Sequence, residues 1–336
     1  MFTMKKTTNQ PLIAGVIGSN WGRVHVAGLR QAGCPVQALM AHDAALVSRI
    51  AAEEQIPNSG TELSVLDACE LIAIATPTAT HLGYLQALQH KAVLCEKPLG
   101  MTPDNQAAFA ELPSERLYVS YPFAFLQTAQ ELTARIRRGC LGTLQRISLV
   151  VGVNLPYPKS PVEWFVEDVV HPFSLLYTLF DEFEFQGVRA GAGNNMTVQF
   201  SCQGALFDVL LCDWPTPGLH FDLTLVGSQN AYQLSGGFRP ERGWWFNPLL
   251  EDDLPVTEGE PAAENPWIRA NHEVARHLVA YLNGTLSAEE AASRGLFNLD
   301  RARAMEALFL PLWQWAGQRT ATPEQPSVAF DWKLQR

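Results

Sequence analysis

Short apolar runs alternate regularly with amphipathic stretches over the first 120 residues, and this feature constrains the fold most strongly. The run over 71–75 is apolar at every position, which is typical of a strand buried on both faces. Alternation of this kind predicts β-α-β units and a parallel sheet. The predicted strands are 12–17, 36–41, 71–75 and 92–95, and the predicted helices are 23–32, 44–54 and 81–90.

The pattern changes after residue 121, where strand-like runs follow one another with few helices between them. Consecutive strands predict a largely antiparallel sheet. We therefore predict two domains, as the length of 336 residues suggests. The first, 1–121, is a doubly wound parallel sheet, and the second, 122–336, is an α+β domain with a large, mostly antiparallel open sheet. Its predicted strands are 144–154, 187–190, 197–202, 206–211, 222–226 and 231–234, and its predicted helices are 127–138, 167–180, 271–283 and 300–315.

Charge and cysteine usage exclude several classes of function. The chain has 24 basic and 34 acidic residues, so its net charge of −10 argues against nucleic acid or anionic membranes as partners. No apolar run approaches the ~20 residues that a membrane span needs. The six cysteines form no CxxC pair, so we expect free thiols in a reducing cytoplasm and no metal site. The acidic segment 251–264 is interpreted as a solvated loop.

A glycine turn follows the first predicted strand and opens a helix, with the sequence Gly18-Ser19-Asn20-Trp21-Gly22. Glycines there allow a pyrophosphate to approach the backbone and to bind at the helix N-terminus, where free N–H groups favour negative charge. The usual spacing is GxGxxG, whereas this turn is a GxxxG. The motif alone leaves dinucleotide binding and a plain tight turn equally open.

The end of the second strand bears on the choice of cofactor. An acid at this position accepts a hydrogen bond from the ribose 2′-hydroxyl in many dinucleotide-binding domains. Here Ala41 and His42 stand in its place, and Asp43 follows one or two residues late. An acid would repel a 2′-phosphate and these residues would not, which slightly favours NADP over NAD. Asp43 is equally well explained as the cap of the next helix.

The most specific motif lies between residues 71 and 99. Thr76-Pro77 ends a strand, His81 opens a helix, and Glu96-Lys97-Pro98 follows the next short strand. In these residues the sequence resembles the Gfo/Idh/MocA oxidoreductases, relatives of glucose–fructose oxidoreductase and inositol dehydrogenase, and the resemblance extends over the whole chain. It implies an N-terminal Rossmann domain, NAD or NADP as cofactor, and cofactor contacts at the glycine turn, the end of strand 2 and this motif. The implied contacts are Gly18, Ser19, Asn20, Trp21, Gly22, Ala41, His42, Thr76, Pro77, His81, Glu96 and Lys97.

Lys97 is the first predicted catalytic residue. A lysine at the carboxyl end of a parallel strand faces the crevice where ligands bind, and it can donate there to a substrate hydroxyl or carbonyl. Burial can lower its pKa towards a useful range. Pro98 can fix the backbone through a cis bond, and Glu96 can orient and charge-balance the lysine.

The second predicted catalytic group lies in the segment from Trp164 to His171. Family members show an Asp, three residues and then a His at this position. Here Glu167 stands four residues before His171 and Asp168 three residues before it. Residues at both spacings share a helix face with the histidine, so either acid can fix its tautomer.

The chain departs from the family in two places. Trp164-Phe165-Val166 replaces the usual glycines, and the segment 121–125 replaces an Asn-Arg-Arg-like sequence. Together with Tyr157 and the segment 244–246, these aromatics either line an apolar pocket or belong to the core or a dimer interface.

These features predict an NAD(P)-dependent dehydrogenase or reductase that transfers a hydride between nicotinamide and a small carbonyl or alcohol. We expect a sugar, a cyclitol or a more apolar carbonyl as substrate, with Lys97 and His171 meeting across an interdomain cleft. Two alternatives stay open: an imine reductase of the same fold, suggested by the shortened glycine turn, and a non-catalytic dinucleotide-binding sensor. The apolar strands after residue 144, and the family resemblance, also predict a homodimer or a dimer of dimers joined sheet to sheet.

Overall fold

The structure is a computed structural model, and it describes residues 11–156, 159–180, 182–193, 195–260 and 265–317. Within these ranges the chain divides into two compact units. The first contains the residues up to Pro122 together with Ala270–Ala304, and the second contains Phe123–Arg269 and the residues from Met305. The first boundary lies one residue beyond the expected end of the N-terminal domain. The assignment of 270–304 to the first unit was not predicted, because the expected second domain ran without interruption from residue 122.

The N-terminal part of the first unit has the predicted alternation, with one further helix and two further strands. Its elements are β1 (Ala14–Ile17), α1 (Gly22–Gln31), β2 (Val36–Met40), α2 (Ala44–Glu53), β3 (Asn58–Gly60), β4 (Leu71–Ile74), α3 (His81–Leu88), β5 (Ala92–Glu96), α4 (Gln106–Ala110) and β6 (Leu117–Ser120). The residues of β1, β4, β5 and β6 are buried throughout, as strands covered on both faces must be.

The second unit contains the long strands. Its elements up to residue 255 are α5 (Gln127–Arg137), β7 (Leu144–Asn154), α6 (Pro161–Trp164), α7 (Val170–Phe180), β8 (Phe183–Ala190), β9 (Met196–Cys202), β10 (Ala205–Asp213), β11 (Gly218–Gly227), β12 (Ala231–Arg239), β13 (Gly243–Phe246), β14 (Leu250–Glu251) and β15 (Leu254–Pro255). The remaining elements of the chain are α8 (Pro266–Leu282), α9 (Ala288–Ser293), β16 (Phe297–Asn298), α10 (Leu299–Ala307) and α11 (Leu310–Gly317).

The helix predicted over 300–315 is two helices, α10 and α11. Pro311 is the second residue of α11. A proline has no N–H to donate, and its ring clashes with the carbonyl four residues earlier, so a continuous helix cannot pass through this point. The same ring is tolerated in the first turn of a new helix. The sequence prediction was therefore wrong at this break.

The sheet of the first unit has the order β3-β2-β1-β4-β5-β6-β16. All its neighbours are parallel except the pair β6 and β16, in which Phe297 faces Val119. This confirms the predicted doubly wound sheet. Because the strand order reverses between β1 and β4, a crevice opens at the carboxyl ends of these strands, which is where ligands bind in such sheets.

The second unit is built on a nine-stranded sheet with the order β15-β14-β12-β11-β7-β10-β9-β8, and β13 pairs with β12. The pair β7 and β10 is parallel and the other described pairs are antiparallel, which confirms a mostly antiparallel sheet. Ile147, Leu149 and Val151 of β7 are buried on one face. Phe173 of α7 packs on that side of the sheet, with its ring centroid 5.1 Å from that of Phe200.

The expectation of a solvated loop over 251–264 was wrong for several of its residues. Residues 261–264 lie outside the described ranges, but Glu251 belongs to β14 and accepts a hydrogen bond from Tyr232 Oη at 2.7 Å. Only 2% of the Glu260 side chain is exposed, and it forms an ion pair with Arg269. Its Oε1 also accepts the backbone N–H of Thr128 at 2.9 Å, at the start of α5. These acids are structural because each finds a donor within the second unit.

Candidate functional site

Three predicted site segments lie at one edge of the parallel sheet. Gly18 follows β1, Thr76 follows β4, and Lys97 follows β5. Since β1, β4 and β5 are neighbouring parallel strands, their carboxyl ends share an edge. The sheet therefore brings the glycine turn, the Thr76-Pro77 loop and the Glu-Lys-Pro motif together, as the sequence predicts.

Gly18 is the residue of the glycine turn that must be a glycine. Its φ of +119° lies in the region that L side chains rarely adopt, and a Cβ atom would lie 2.2 Å from the carbonyl oxygen of Ala75. Helix α1 then begins at Gly22, and no side chain caps its N-terminus. The turn thus combines close backbone approach with a helix N-terminus that no side chain caps, which fits the pyrophosphate of a dinucleotide.

The residues after β2 occupy distinct environments. Ala41 is buried and His42 is exposed. Asp43 caps helix α2, accepting the Leu46 backbone N–H at 2.9 Å. Asp43 therefore has the structural role that the sequence left open. Arg23 of α1 forms ion pairs with two acids at the end of α2, Glu53 at 2.9 Å and Glu54 at 2.6 Å.

Glu96, the last residue of β5, is a buried carboxylate with contacts on both oxygens. Its Oε1 accepts a hydrogen bond from Nε1 of Trp21 at 3.2 Å and lies 2.8 Å from Nε2 of His25. Its Oε2 accepts the backbone N–H of Lys97, also at 3.2 Å. Burial acts to raise the pKa of Glu96, but the hydrogen bond and charge of His25, with the charges of Lys97 and His81, outweigh it and lower the pKa.

His81 joins the two loops at the carboxyl edge. Its Nδ1 lies 2.8 Å from the carbonyl oxygen of Pro98 and its Nε2 lies 2.9 Å from that of Thr76. Burial lowers the pKa of His81 against the opposing effects of these carbonyls and of Glu96. A neutral imidazole has one N–H and donates to one of these carbonyls at a time. The ring itself is buried, so it holds the loops that carry Thr76 and Lys97 in register.

Lys97 is half-buried at the end of β5, and the Lys97–Pro98 peptide bond is cis. Its backbone is held by Glu96 on one side, and the Pro98 carbonyl is held by His81 on the other. The segment that carries the ammonium group is therefore anchored at both ends.

The residues of the second predicted catalytic segment differ in their surroundings. They lie in a π-helical turn, Phe165–Val169, between α6 and α7, a type of distortion that is frequent at functional sites. Glu167 is half-exposed and forms an ion pair with Lys159. Asp168 and His171 are both buried. Of the two acids, Asp168 shares the buried environment of the histidine.

An aromatic cluster in the second unit contacts His171 through Trp267. The His171 ring contacts Trp267 edge to face, with centroids 4.6 Å apart. Trp267 stacks on Trp244 at 4.4 Å, and Phe123 contacts Trp267 at 6.3 Å. Trp244 is half-buried, and its Nε1 has no hydrogen-bond acceptor among the residues that the structure describes. This cluster therefore places apolar indole surface beside the histidine, and it contains a buried indole N–H that has no acceptor among the described residues.

Most of the other aromatics that replace family polar groups are core residues. Each of the residues Tyr121, Phe123, Phe125, Trp164 and Phe165 is buried. Trp244 and Trp245 are half-buried, and Tyr157 lies outside the described ranges. The core alternative thus holds for the first group, and Trp244 remains a candidate for a pocket wall.

Two residues with close contacts to the predicted site were missed by the sequence reasoning. His25 stands at the end of the glycine motif, four residues after Trp21, the N-cap of α1, and this spacing places both side chains on the same side of the start of the helix. Trp267 had no comparable signal, because nothing in its neighbourhood relates it to His171. Within the described ranges, no three His, Cys, Asp or Glu side chains group as a metal site requires. No helix in those ranges has the length and apolar character needed to cross a bilayer.

Comparison with known families gives one sequence match. Residues 12–117 match the model of the GFO_IDH_MocA family, described as an oxidoreductase family with an NAD-binding Rossmann fold. A search of curated proteins finds no relative of this chain. The matched range covers β1 to the start of β6, and it includes the glycine turn, Thr76-Pro77 and Glu96-Lys97-Pro98.

Solved structures with the same fold cover nearly the whole chain. A dehydrogenase, MviM, from Clostridium difficile has a TM-score of 0.71 at 12% identity, covering 91% of this chain and 100% of that one. A myo-inositol dehydrogenase from Corynebacterium glutamicum has a TM-score of 0.67 at 14% identity, with coverages of 92% and 98%. An oxidoreductase from Desulfitobacterium hafniense, described as NADPH-dependent, has a TM-score of 0.73 at 11% identity, with coverages of 93% and 97%. Both units therefore have the fold of these proteins.

Proposed function

Residues 12–117 match the model of the Gfo/Idh/MocA oxidoreductases, and from this match we propose that the chain is an NAD(P)-dependent dehydrogenase or reductase of a small carbonyl or alcohol. The observation that carries the proposal is the carboxyl edge of the parallel sheet. There the Gly18 turn, the Thr76 loop and Lys97 follow three neighbouring strands. This edge is the ligand-binding side of doubly wound sheets.

The cofactor would be held by the first unit. The N–H groups of the uncapped α1 terminus, beside Ser19 and Asn20, would bind the pyrophosphate. Thr76 and Pro77 would line the cofactor further along the edge. When bound, the nicotinamide accepts or supplies the hydride of the reaction. The chain's own residues must then orient the substrate and move the accompanying proton.

Lys97 and His171 are the proposed proton-transfer residues. Lys97 is half-buried and anchored at the ligand edge, and its ammonium group can donate to a developing alkoxide. His171 is a buried imidazole whose tautomer Asp168 would fix. Glu167 is a weaker candidate for that role, because its carboxylate already pairs with Lys159.

The proposed substrate is a small polyol or its ketone, such as a sugar or cyclitol, or a more apolar carbonyl. The similarity to a myo-inositol dehydrogenase supports the first class. The aromatic cluster of Trp244 and Trp267 supports a substrate with an apolar face, since an indole ring packs on C–H groups. An alcohol substrate is oxidised with transfer of a hydride from carbon and of a proton from oxygen.

The function is tested by nicotinamide absorbance. The chain is incubated with NADP or NAD and a panel of sugars, cyclitols and aromatic alcohols, and with NADPH or NADH and the matching carbonyls. We expect an absorbance change with at least one substrate, and its loss in Lys97→Met. Tight cofactor binding without turnover of any compound would instead favour a dinucleotide-binding sensor. Turnover of cyclic imines alone would favour an imine reductase.

We also propose that the chain forms a homodimer or a dimer of dimers through the outer face of the second-unit sheet. On that face, Val150 of β7 and Leu210 of β10 stand opposite each other in register and are half-buried. Leu206 of β10 is 58% exposed. The apolar pair Val150 and Leu210 on this open sheet face supports association with a second copy, and the neighbouring Asp208 and Asp222 are polar.

A further inference from the structure

The first turns of α1 and the end of β5 share one buried carboxylate. Trp21, the N-cap of α1, and His25 in its first turn lie four residues apart, and both reach Oε1 of Glu96, 75 and 71 residues further along the chain. The other oxygen of Glu96 holds the Lys97 backbone N–H. The phosphate-binding turn and the proposed proton donor are therefore linked through a single side chain.

The direction of the hydrogen bonds follows from the charge of Glu96. Its pKa lies below the ordinary value because His25, Lys97 and His81 outweigh the opposing effect of burial. Glu96 is thus ionised near neutral pH, and an ionised carboxylate only accepts hydrogen bonds. Nε2 of His25 must therefore carry a hydrogen and donate it. Two donors from α1 and one from the backbone of Lys97 stabilise the carboxylate in one orientation.

Such a carboxylate depends on its donors. A buried charge that loses a partner either takes up a proton or moves towards another cation. Besides His25, the charged groups that act on Glu96 are Lys97 and, when protonated, His81. Either response would change the orientation or the charge environment of the Lys97 ammonium. A purely space-filling residue at position 25 would not prevent it.

We propose that His25 and Trp21 are positioning residues, which fix the place and charge of Glu96 so that it holds Lys97 in orientation for proton transfer. The role of Lys97 in this statement rests on the proposed function. The hydrogen bonds of His25 and Trp21 to Glu96 do not, because they are present in the protein without substrate. A misplacement of about 1 Å at a reacting group can lower a rate by roughly 10²-fold, which sets the scale of the effect.

The test uses the full chain and four variants. His25→Leu removes the donor, His25→Gln retains an N–H donor without a charge, and Trp21→Phe removes the indole N–H. The matched control is His277→Gln in the same unit, because His277 is equally buried but bonds to the Glu273 backbone rather than to Glu96. Cofactor Kd is measured by fluorescence, kcat and KM by nicotinamide absorbance, and unfolding by thermal melts.

A direct readout comes from the amide of Lys97. The chain has six lysines, so labelling with ¹⁵N-lysine gives six backbone signals, and Lys97→Arg identifies the relevant one. Because the Lys97 N–H donates to Glu96, its chemical shift follows the ionisation of that carboxyl as pH is lowered. In His25→Leu we expect the midpoint to rise by about one pH unit, since a supporting donor and charge are lost. His25→Gln and Trp21→Phe should shift it less.

His25→Leu should lower kcat by about 10- to 100-fold, whereas its cofactor Kd should stay within about threefold of the wild-type value. His25→Gln should recover most of the lost kcat. In His25→Leu the acid limb of the pH–rate profile should shift to higher pH together with the amide midpoint. His277→Gln should change neither the acid limb nor the midpoint. The proposal would be overturned if the amide midpoint were unchanged in all three variants, which are His25→Leu, His25→Gln and Trp21→Phe. If the wild type turns over no substrate, the proposed function fails, and the amide titration still decides the control of Glu96.

Discussion

The imidazole of His171 meets the indole of Trp267 edge to face, with their planes at 85° and their centroids 4.6 Å apart. Both rings are buried, so Trp267 limits the orientations that the imidazole can take. A proton-transfer residue needs such a restriction, because its nitrogen must stay within hydrogen-bond reach of the substrate.

Replacing His171 by glutamine tests its proposed role. We expect kcat to fall by about 10²–10⁴-fold, the range for loss of a general acid or base, while cofactor affinity is unchanged. The measurement is steady-state nicotinamide absorbance together with fluorescence titration of the cofactor. His220→Gln is the control, because that ring stacks on Trp214 at 4.2 Å on the sheet of the same unit and has no proposed role in chemistry. Equal losses in the two variants would remove His171 from the mechanism.

Lys97→Met should retain cofactor binding and lower kcat by about 10²–10⁴-fold, since the side chain keeps its length but loses its proton. Stopped-flow single turnovers separate the chemical step from product release. Lys91→Met is the matched control, because the Lys91 ammonium donates only to the carbonyls of Asp67 and Cys69 among the described groups. Its loss should lower thermal stability and leave kcat near that of the wild type. A Lys97→Met enzyme with wild-type kcat would contradict the assignment.

The cofactor preference is expected to favour NADPH over NADH. Neither Ala41 nor His42 would repel a 2′-phosphate, and Asp43 is engaged as a helix cap. His42→Asp places an acid at an exposed position, where it should repel the phosphate and move the affinity ratio towards NADH by about tenfold. His42→Asn, which has similar size and no charge, should leave the ratio unchanged. Fluorescence titration with both nucleotides gives the ratio, and wild-type binding of NADH tenfold tighter would disprove the preference.

Gly18→Ala should weaken the turn itself. An alanine would need a φ of +119° and would place its Cβ 2.2 Å from the Ala75 carbonyl oxygen, so the backbones after β1 and β4 must separate. We expect a loss of more than about 1 kcal/mol in the free energy of unfolding, with cofactor affinity reduced as well. Gly83→Ala in α3 is the control, because its Cβ would meet no atom within 4 Å among the described residues. It should stabilise the chain by up to about 1 kcal/mol through helix propensity.

The proposed dimer predicts a sedimenting species of twice the 37.1 kDa chain mass at micromolar concentration. Leu210→Arg places a charge on the outer face of β10, opposite Val150, and should shift the equilibrium towards monomer. Leu254→Arg is the control, because Leu254 is 69% exposed on β15, remote in strand order from β10. A wild-type chain that sediments as a monomer would exclude the dimer.

Sequence alone determined the elements of the N-terminal sheet and the chemistry of its carboxyl edge. The strands that became β1, β2, β4 and β5 were predicted to within two residues, because continuous apolar runs between turns leave few other solutions. Gly18 and Lys97 were found for a similar reason. A few adjacent residues are enough to recognise a glycine turn between a strand and a helix, or a lysine directly after a strand.

Tertiary structure decided which distant residues these local features would meet. Glu96 is paired with His25, 71 residues earlier, and no local pattern relates the two. Phe297 joins the first sheet beside Val119, although no strand was predicted between the helices 271–283 and 300–315. Glu260, which the acidic composition assigned to solvent, is buried because Arg269 and Thr128 reach it. Local periodicity sets the type of an element through short-range sterics and burial, whereas the partner of a buried charge depends on how elements far apart in the chain pack together.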